Sequence, residues 1–339
     1  MRALRFHGAG DLRLDEVAPP RPARGEVIVA VDACGVCGSD LHFLDGSAHT
    51  GFVPITLGHE IAGTITDPGT SDLAQGNRVV VAVGHPCGAC DRCSTGRSNL
   101  CTSIEVVGIH RDGGLADLVA VPAASAIALP PGIAPEIGAT AVDAGATAFH
   151  AITRRARVSR GDSVLIIGAG GLGGYGLQFA RNAGATPVIV ADSDPAALTR
   201  AARFGVDETL LVEEGMSLGR AVKLLTHGGV DAAIEFVGRA STVEAAVKSL
   251  RPGGRAVVVG VGIEPVATLP PVLWSNNEYT LTGSYGSLAG DVETVLSALG
   301  TGDITPPQIE TVPLEVARSE ILAATSGARR TSGRMVVVP

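Results

Sequence analysis

Aromatic residues make up only 3% of this 339-residue sequence, basic residues are outnumbered by acidic ones, and no cysteine lies beyond position 101. Each scarcity excludes something. Few aromatics beside abundant Gly, Ala and Val argue against an aromatic-rich binding surface and favour close-packed parallel strands and helices. With 26 Lys and Arg against 34 Asp and Glu, the formal charge of −8 provides no nucleic-acid footprint, which requires clustered cations. The one basic cluster, Arg154, Arg155, Arg157 and Arg160, has helical spacing and is expected as a solvated helix face. No stretch approaches the roughly 18 uninterrupted apolar residues of a membrane span, and the opening M-R-A-L-R-F-H-G has no apolar signal region. A soluble cytoplasmic protein without membrane or nucleic-acid partners is the expectation. All six cysteines (34, 37, 87, 90, 93 and 101) crowd the first third, which suits metal binding rather than a disulfide framework.

The length exceeds what one hydrophobic core usually fills, so two domains are expected, and a 45% hydrophobic fraction can fill both. As far as about Pro86, short strands alternate with Gly- and Pro-containing turns: Val27 to Val31, Ile61 to Ile65 and Arg78 to Val83. This spacing predicts a β-rich, barrel-like domain. A lobe at 86–102 follows, with Cys87, Cys90, Cys93 and Cys101 as C-x₂-C-x₂-C-x₇-C. Four thiolates in one loop close a tetrahedral zinc site with no open position, which is a structural site. An iron–sulfur cluster shares the first spacings, but the long last gap fits it poorly.

From about Ser163 apolar runs of strand length alternate with helical patterns. The strands are expected after Ser163, at Val188 to Ala191, at Ala232 to Phe236 and at Ala256 to Gly260. Asp194 before Pro195 reads as a helix N-cap, and Ser241 with Glu244 as a capping box. Such alternation predicts a doubly wound parallel sheet, the Rossmann class of α/β fold. Its first strand runs into G-A-G-G-L-G, residues Gly168, Gly170, Gly171, Leu172 and Gly173 among them, which match G-x-G-x-x-G. The first glycine permits a tight turn, the second a close approach to pyrophosphate, and the third helix packing on the strand. Asp192 follows 192 − 173 = 19 residues later at the end of the second strand. An acid there accepts ribose hydroxyls and repels a 2′-phosphate, which favours NAD over NADP. The tail after about Ser284 holds a helix and the strand M-V-V-V-P, too little for a domain of its own. It is expected to return to the N-terminal domain and make the nucleotide domain an insertion.

Cys34 to Glu60 concentrates thiols, a hydroxyl, imidazoles and carboxylates in an otherwise aliphatic chain. Catalytic zinc takes three protein ligands and keeps one open position, and Cys37 and His59 are candidates for two of them. Cys34 lacks the context of a redox C-x-x-C and is expected as an apolar strand residue. A metal site beside a nicotinamide fold points to hydride transfer from an alcohol carbon whose oxygen the metal polarises.

The motifs G-V-C-G-S-D-L-H, L-G-H-E, the four-cysteine lobe, D-G-G-L-A-D-L-V, D-A-G-A-T-A-F-H, G-A-G-G-L-G and E-F-V-G occur in that order. In this the chain resembles the zinc-dependent medium-chain alcohol dehydrogenases nearly end to end. The resemblance implies a GroES-like catalytic domain over 1–148 and 286–339 with the nucleotide domain, 149–285, inserted in it. It implies Cys37 and His59 as ligands of catalytic zinc, Glu60 beside the metal, and Ser39 passing the alcohol proton through the cofactor ribose to His42. Many members have a cysteine as third ligand; here Asp143 stands in its place, as in the bacterial secondary-alcohol subgroup, while the polyol branch carries glutamate in the corresponding region. The alternative for Asp143 is the N-cap of its helix. The resemblance further implies Arg334 beside the pyrophosphate, Val237 and Val261 near the nicotinamide, Val83 and Tyr285 along the substrate pocket, two Zn²⁺ per subunit, and a homo-oligomer, tetramer or dimer. The function expected is NAD-linked interconversion of an alcohol, preferably a small secondary one, with its ketone or aldehyde. A polyol or biosynthetic-intermediate dehydrogenase, or a catalytically silent NAD- or zinc-binding regulatory protein, are the alternatives.

Overall fold

Valine and isoleucine dominate the long strand Glu26–Gly35, in which Val27, Ile28, Val29, Val31, Ala33 and Cys34 are all buried. Burial on both faces makes this strand the centre of its unit. The computed structural model describes residues 1–267, 269–328 and 333–339. These divide into a unit of residues 1–146, 287–302 and 306–339 and a unit of residues 147–286 with 303–305.

In the first unit the main sheet runs in the order Ala126–Ala128, Arg78–Val81, Glu60–Asp67, Glu26–Gly35, Arg334–Val338 and Ile309–Pro313, with Leu118–Pro122 also pairing with the central strand. The register brings Gly35 opposite both Glu60 and Val336. The C-terminal strand, read from sequence as M-V-V-V-P, is therefore hydrogen-bonded inside the N-terminal sheet. A smaller sheet joins the hairpin Arg2–Gly8 and Asp11–Glu16 to Ile55–Thr56. Both sheets contribute to one apolar cluster that includes Leu4, Leu12, Val29, Ile61, Val81, Leu115 and Val337. Cys34 is part of that cluster, as an apolar strand residue should be.

The second unit holds six parallel strands in the order Glu208–Leu211, Val188–Asp192, Val164–Ile167, Val230–Glu235, Leu250–Val258 and Thr280–Gly283. Numbered within the unit this is 3-2-1-4-5-6, the order of a doubly wound dinucleotide fold, with its switch point between Val164–Ile167 and Val230–Glu235. All four residues of Val164–Ile167 are buried, which explains their unbroken apolar run. Asp194 caps the helix Pro195–Ala202 by accepting from the Ala196 amide at 2.9 Å, as expected from the Asp-Pro pair.

Three local expectations need correction. The helix Ala240–Lys248 starts one residue before Ser241, so Ser241 and Glu244 form no capping box; Arg239 occupies the N-cap position. The arginine cluster is no continuous helix face, because the helical turn ends at Arg155 and Arg157 takes a left-handed φ of 52°. Arg155 donates instead to the Gly283 carbonyl at 2.9 Å. The strand at Arg78 ends at Val81, and pairing resumes only at Gly84–His85.

Close approach of strands in the first unit depends on Gly63. A Cβ there would lie 2.1 Å from the Ala30 carbonyl oxygen and 2.6 Å from Val29 Cγ1. Backbone cannot yield as a flexible side chain can, so Gly63→Ala is expected to cost about 1–3 kcal/mol. The check is urea unfolding: the midpoint should fall with the slope unchanged. An unmoved midpoint would show that the two strands have room to separate.

Candidate metal centre and nucleotide cavity

Three adjacent strand ends build the first site. The central strand finishes at Gly35 and delivers Cys37, which caps the short helix Gly38–Leu44. His59 immediately precedes the strand Glu60–Asp67, and Arg334 opens the strand Arg334–Val338. Asp143 arrives from elsewhere, in a π-helical turn, Ala141–Gly145, that continues the helix Pro135–Thr140. Such turns recur at functional sites because the extra residue re-aims a side chain. Asp143 therefore lies inside its helix and is not an N-cap.

Cys37 Sγ lies 3.3 Å from Asp143 Oδ2, and His59 Nε2 lies 3.7 Å from the same oxygen. One donor atom from each of Cys37, His59, Glu60 and Asp143 falls within 4.8 Å of the others. Burial pushes the Cys37 thiol up, and the neighbouring Asp143 carboxylate adds to that. Burial also opposes ionisation of Asp143, but hydrogen bonding and charge from His59 hold its carboxyl well below the usual range. Glu60 is pushed up to about 7, chiefly by burial and against the pull of Arg334. Sulfur, nitrogen and carboxylate oxygen converging from three buried side chains and the half-buried Asp143 form a donor set that suits zinc, and Glu60 Oε2 has no hydrogen-bond partner among the described residues.

Arg334, expected beside a pyrophosphate, is buried here and its guanidinium Nη2 is ion-paired with Glu60 Oε1. Gly35 makes room for this pair, since a Cβ there would lie 2.0 Å from Glu60 Oε2. Ser39 Oγ lies 3.8 Å from Cys37 Sγ. His42, one helical turn on, is a third exposed and faces Ser47 Oγ at 3.0 Å and Asp45 at 3.6 Å.

Asp40 was not singled out from the sequence. It is fully buried, accepts from the Cys37 amide at 2.9 Å, and brings Oδ1 to 3.8 Å from His59 Nδ1. A carboxylate behind an imidazole fixes the tautomer and orientation of a ligating histidine. The available signal was its place three residues after a Cys at a helix start, the position of an N-capping partner.

The cysteine lobe is a separate cluster. Its sulfurs lie 3.5 Å apart for Cys90 and Cys93, 3.8 Å for Cys90 and Cys101, and 4.0 Å for Cys87 and Cys93. A tetrahedron with metal–sulfur bonds of about 2.3 Å has edges of about 3.8 Å. All four are free thiols, and Cys101 Sγ accepts from the Cys87 and Ser103 amides at 3.3 and 3.4 Å.

In the second unit a cavity of about 550 Å³ opens at the carboxyl ends of the strands, lined by the glycine loop, Asp192, Ser193, Val237 and Arg239. Gly168 takes a φ of +93°, and a Cβ on Gly173 would lie 1.8 Å from the Gly168 carbonyl oxygen. At Gly170 a Cβ would meet only open space, so what it leaves free is room for a ligand. Asp192 accepts from the amides of Ala169 at 2.7 Å and Asp194 at 2.8 Å. Val261 is well exposed, its backbone packed against Gly238. Val83 is partly buried, and Tyr285, in the second unit, is mostly exposed.

Comparisons with known proteins place the chain in a family. Residues 23–131 match the model of the alcohol dehydrogenase GroES-like domain, and residues 171–301 that of the zinc-binding dehydrogenases. Human sorbitol dehydrogenase is 32% identical over 291 residues, covering 84% of this chain and 81% of that enzyme. A protein of Sinorhizobium meliloti, described as a zinc-binding dehydrogenase and bound to NADP, superposes with a TM-score of 0.90 at 31% identity, over 100% of this chain and 99% of that one. Acetophenone reductase from Geotrichum candidum, in complex with NAD, superposes with a TM-score of 0.87 at 28% identity, over 99% and 96%. None of the described helices is long and apolar enough to cross a membrane.

If Asp40 orients His59, Asp40→Asn should weaken metal binding at that site by about 10–100-fold while the cysteine lobe keeps its ion. Competition with a chelator, followed by metal analysis, would read both losses separately. Equal retention by the variant and the parent would leave Asp40 only its helix-capping role.

Proposed function

The chain belongs to the zinc-dependent medium-chain alcohol dehydrogenases, and from that premise we propose that it oxidises a small secondary alcohol with NAD, using Cys37, His59 and Asp143 to hold the catalytic zinc. Membership makes it an enzyme that interconverts alcohols or polyols with carbonyl compounds by hydride transfer to or from a nicotinamide nucleotide. The observation that carries the finer reading is the convergence of Cys37 Sγ, His59 Nε2 and Asp143 Oδ2.

Zinc supplies a Lewis acid that lowers the pKa of an alcohol hydroxyl toward neutrality. With a metal bound, Cys37 and Asp143 would give the site two anionic donors, and Asp40, 3.8 Å behind His59 Nδ1, is placed to orient the imidazole. Arg334 keeps Glu60 charge-compensated beside the ligands. In this reading Ser39 accepts the alcohol proton. His42 lies three residues further along the same helix and is partly exposed, which suits it to release the proton to solvent. Cys87, Cys90, Cys93 and Cys101 would hold the second, structural zinc, giving two ions per subunit.

For the nucleotide, Gly168, Gly170, Gly171, Leu172 and Gly173 would receive the pyrophosphate, with Val237 and Val261 as wall positions. Asp192 supports NAD, because a carboxylate at the second strand's end opposes a 2′-phosphate. The relatives bind both nucleotides, one holding NADP and another NAD. The resemblance supports a pyrophosphate contact for Arg334 in addition to its pair with Glu60. The preference for a secondary alcohol draws on Asp143 and on the likeness to a reductase named for a ketone. A polyol substrate is the second reading, favoured by the likeness to sorbitol dehydrogenase. An intracellular location accords with six free cysteines. Self-association would use surfaces such as Thr280–Gly283, the outermost strand of its sheet.

Mixing the zinc-loaded protein with NAD and a panel of secondary alcohols and polyols, and following reduced-cofactor absorbance, tests this reading. Secondary alcohols should be turned over, with NAD favoured over NADP in kcat/KM by roughly tenfold or more. Turnover confined to polyols would favour the second reading, and no turnover at all would leave a binding protein. Asp143→Ala should lose one zinc of two together with activity; full retention of metal would remove Asp143 from the ligand set.

A further inference from the structure

The carboxyl end of the strand Val230–Glu235 carries an acid that no step above uses. Glu235 is fully buried at the end of a strand that otherwise reads V-D-A-A-I. Its Oε1 accepts from the Val237 amide at 2.7 Å and the Gly238 amide at 2.8 Å, and lies 2.9 Å from the Thr242 hydroxyl, which also reaches the Arg239 carbonyl at 2.8 Å. Its backbone carbonyl accepts two more, from Val259 at 2.8 Å and Gly260 at 3.1 Å. Oε2 is buried with no partner among the described residues. A buried carboxylate with one oxygen left bare is costly, and a sequence keeps it only where the other oxygen does something an apolar residue could not.

That something is the shape of the cavity wall. Val237 and Thr242 both line the nucleotide cavity. The Val237–Gly238 turn is packed backbone to backbone against Gly260–Gly262: a Cβ on Gly238 would lie 2.4 Å from the Val261 oxygen, and one on Gly262 would lie 1.9 Å from the Gly238 oxygen. Val237 also rests on the glycine loop, since a Cβ on Gly168 would meet its Cγ2 at 2.9 Å. The turn thus fixes one wall relative to the loop opposite, and its two amides close on a single oxygen.

We propose that Glu235 is a positioning residue for the nucleotide, presetting the Val237–Gly238 wall so that the cofactor binds without having to order it. The proposal rests on the nicotinamide-nucleotide reading of this cavity. Asp231, at the other end of the same strand, is the control: it is buried, accepts from the Ser163 amide at 2.8 Å and the Ser163 hydroxyl at 2.7 Å, and is not part of the cavity lining.

The experiment is calorimetric titration of NAD into the zinc-loaded parent, Glu235→Leu, Glu235→Gln and Asp231→Leu, with thermal unfolding of each. Glu235→Leu should raise the Kd by about tenfold or more through the unpaired amides it leaves, whereas Glu235→Gln, which keeps an acceptor, should stay within about threefold. Asp231→Leu should lower the Tm and leave the Kd at the parent value. An unchanged Kd in Glu235→Leu, an equal loss in Asp231→Leu, or no rescue by glutamine would overturn the proposal. Amide hydrogen exchange in the nucleotide-free parent gives a test that needs no variant to fold: Val237 and Gly238 should be protected, and free exchange at both would overturn it too. A parent that binds no NAD at all would instead overturn the reading of the cavity.

Discussion

The first unit depends on how one buried, charge-dense cluster is kept together. Cys37, His59, Glu60, Asp143 and Arg334 bring two acids, a thiol, an imidazole and a guanidinium into the interior, where unpaired charge is costly. Arg334 is ion-paired with Glu60, which leaves the Asp143 carboxylate and the Cys37 thiol, a group that ionises on binding a metal, facing one point. A divalent cation would complete that balance, and the sheet brings the candidate ligands together. Three neighbouring strands end at Gly35, Glu60 and Arg334, with Gly35 opposite both Glu60 and Val336 and with Arg334 brought from 274 residues beyond Glu60. Glycine at position 35 is part of the arrangement, because any side chain there would occupy the space of the Glu60 carboxylate.

The second unit answers a different constraint, the approach of backbone to a polyanion. A Rossmann switch point supplies the crevice, and glycines at 168, 170 and 173 each meet a separate demand: turn geometry, ligand room and helix contact. Across the crevice the paired glycine turns at Gly238 and Gly260 allow two strand ends to touch through backbone alone, and Glu235 supplies the acceptor that sets their spacing. Asp192 does comparable work beside the loop, since its carboxylate holds the Ala169 amide.

What could be read from the sequence followed from local rules. The parallel strands of the second unit announce themselves as unbroken apolar runs, and the cysteine lobe as a spacing pattern, because both are properties of short segments. Cys37, His59 and Asp143 were legible through motif order, yet their meeting at 3.3 and 3.7 Å depends on a π-helical turn that no propensity reveals. Asp40 and Glu235 were missed since their work is tertiary: each is an ordinary acid in sequence, and only burial and partner atoms disclose it. Arg334 was placed beside a pyrophosphate by resemblance, and its pair with Glu60 could not be foreseen because strand register across 274 residues set it. The arginines at 154–160 misled for the opposite reason, a helical spacing interrupted by the left-handed backbone at Arg157.

The central claim is that this chain holds two metal ions in chemically different sites, one all-sulfur and one mixed. X-ray absorption at the zinc edge of the fully loaded protein tests it most directly. Four sulfurs from the lobe and one from Cys37, shared between two ions, should give an average of about 2.5 sulfur ligands at about 2.3 Å, with nitrogen or oxygen at about 2.0–2.2 Å filling the rest. A single ion per chain with four sulfur ligands and no light-atom shell would contradict the account.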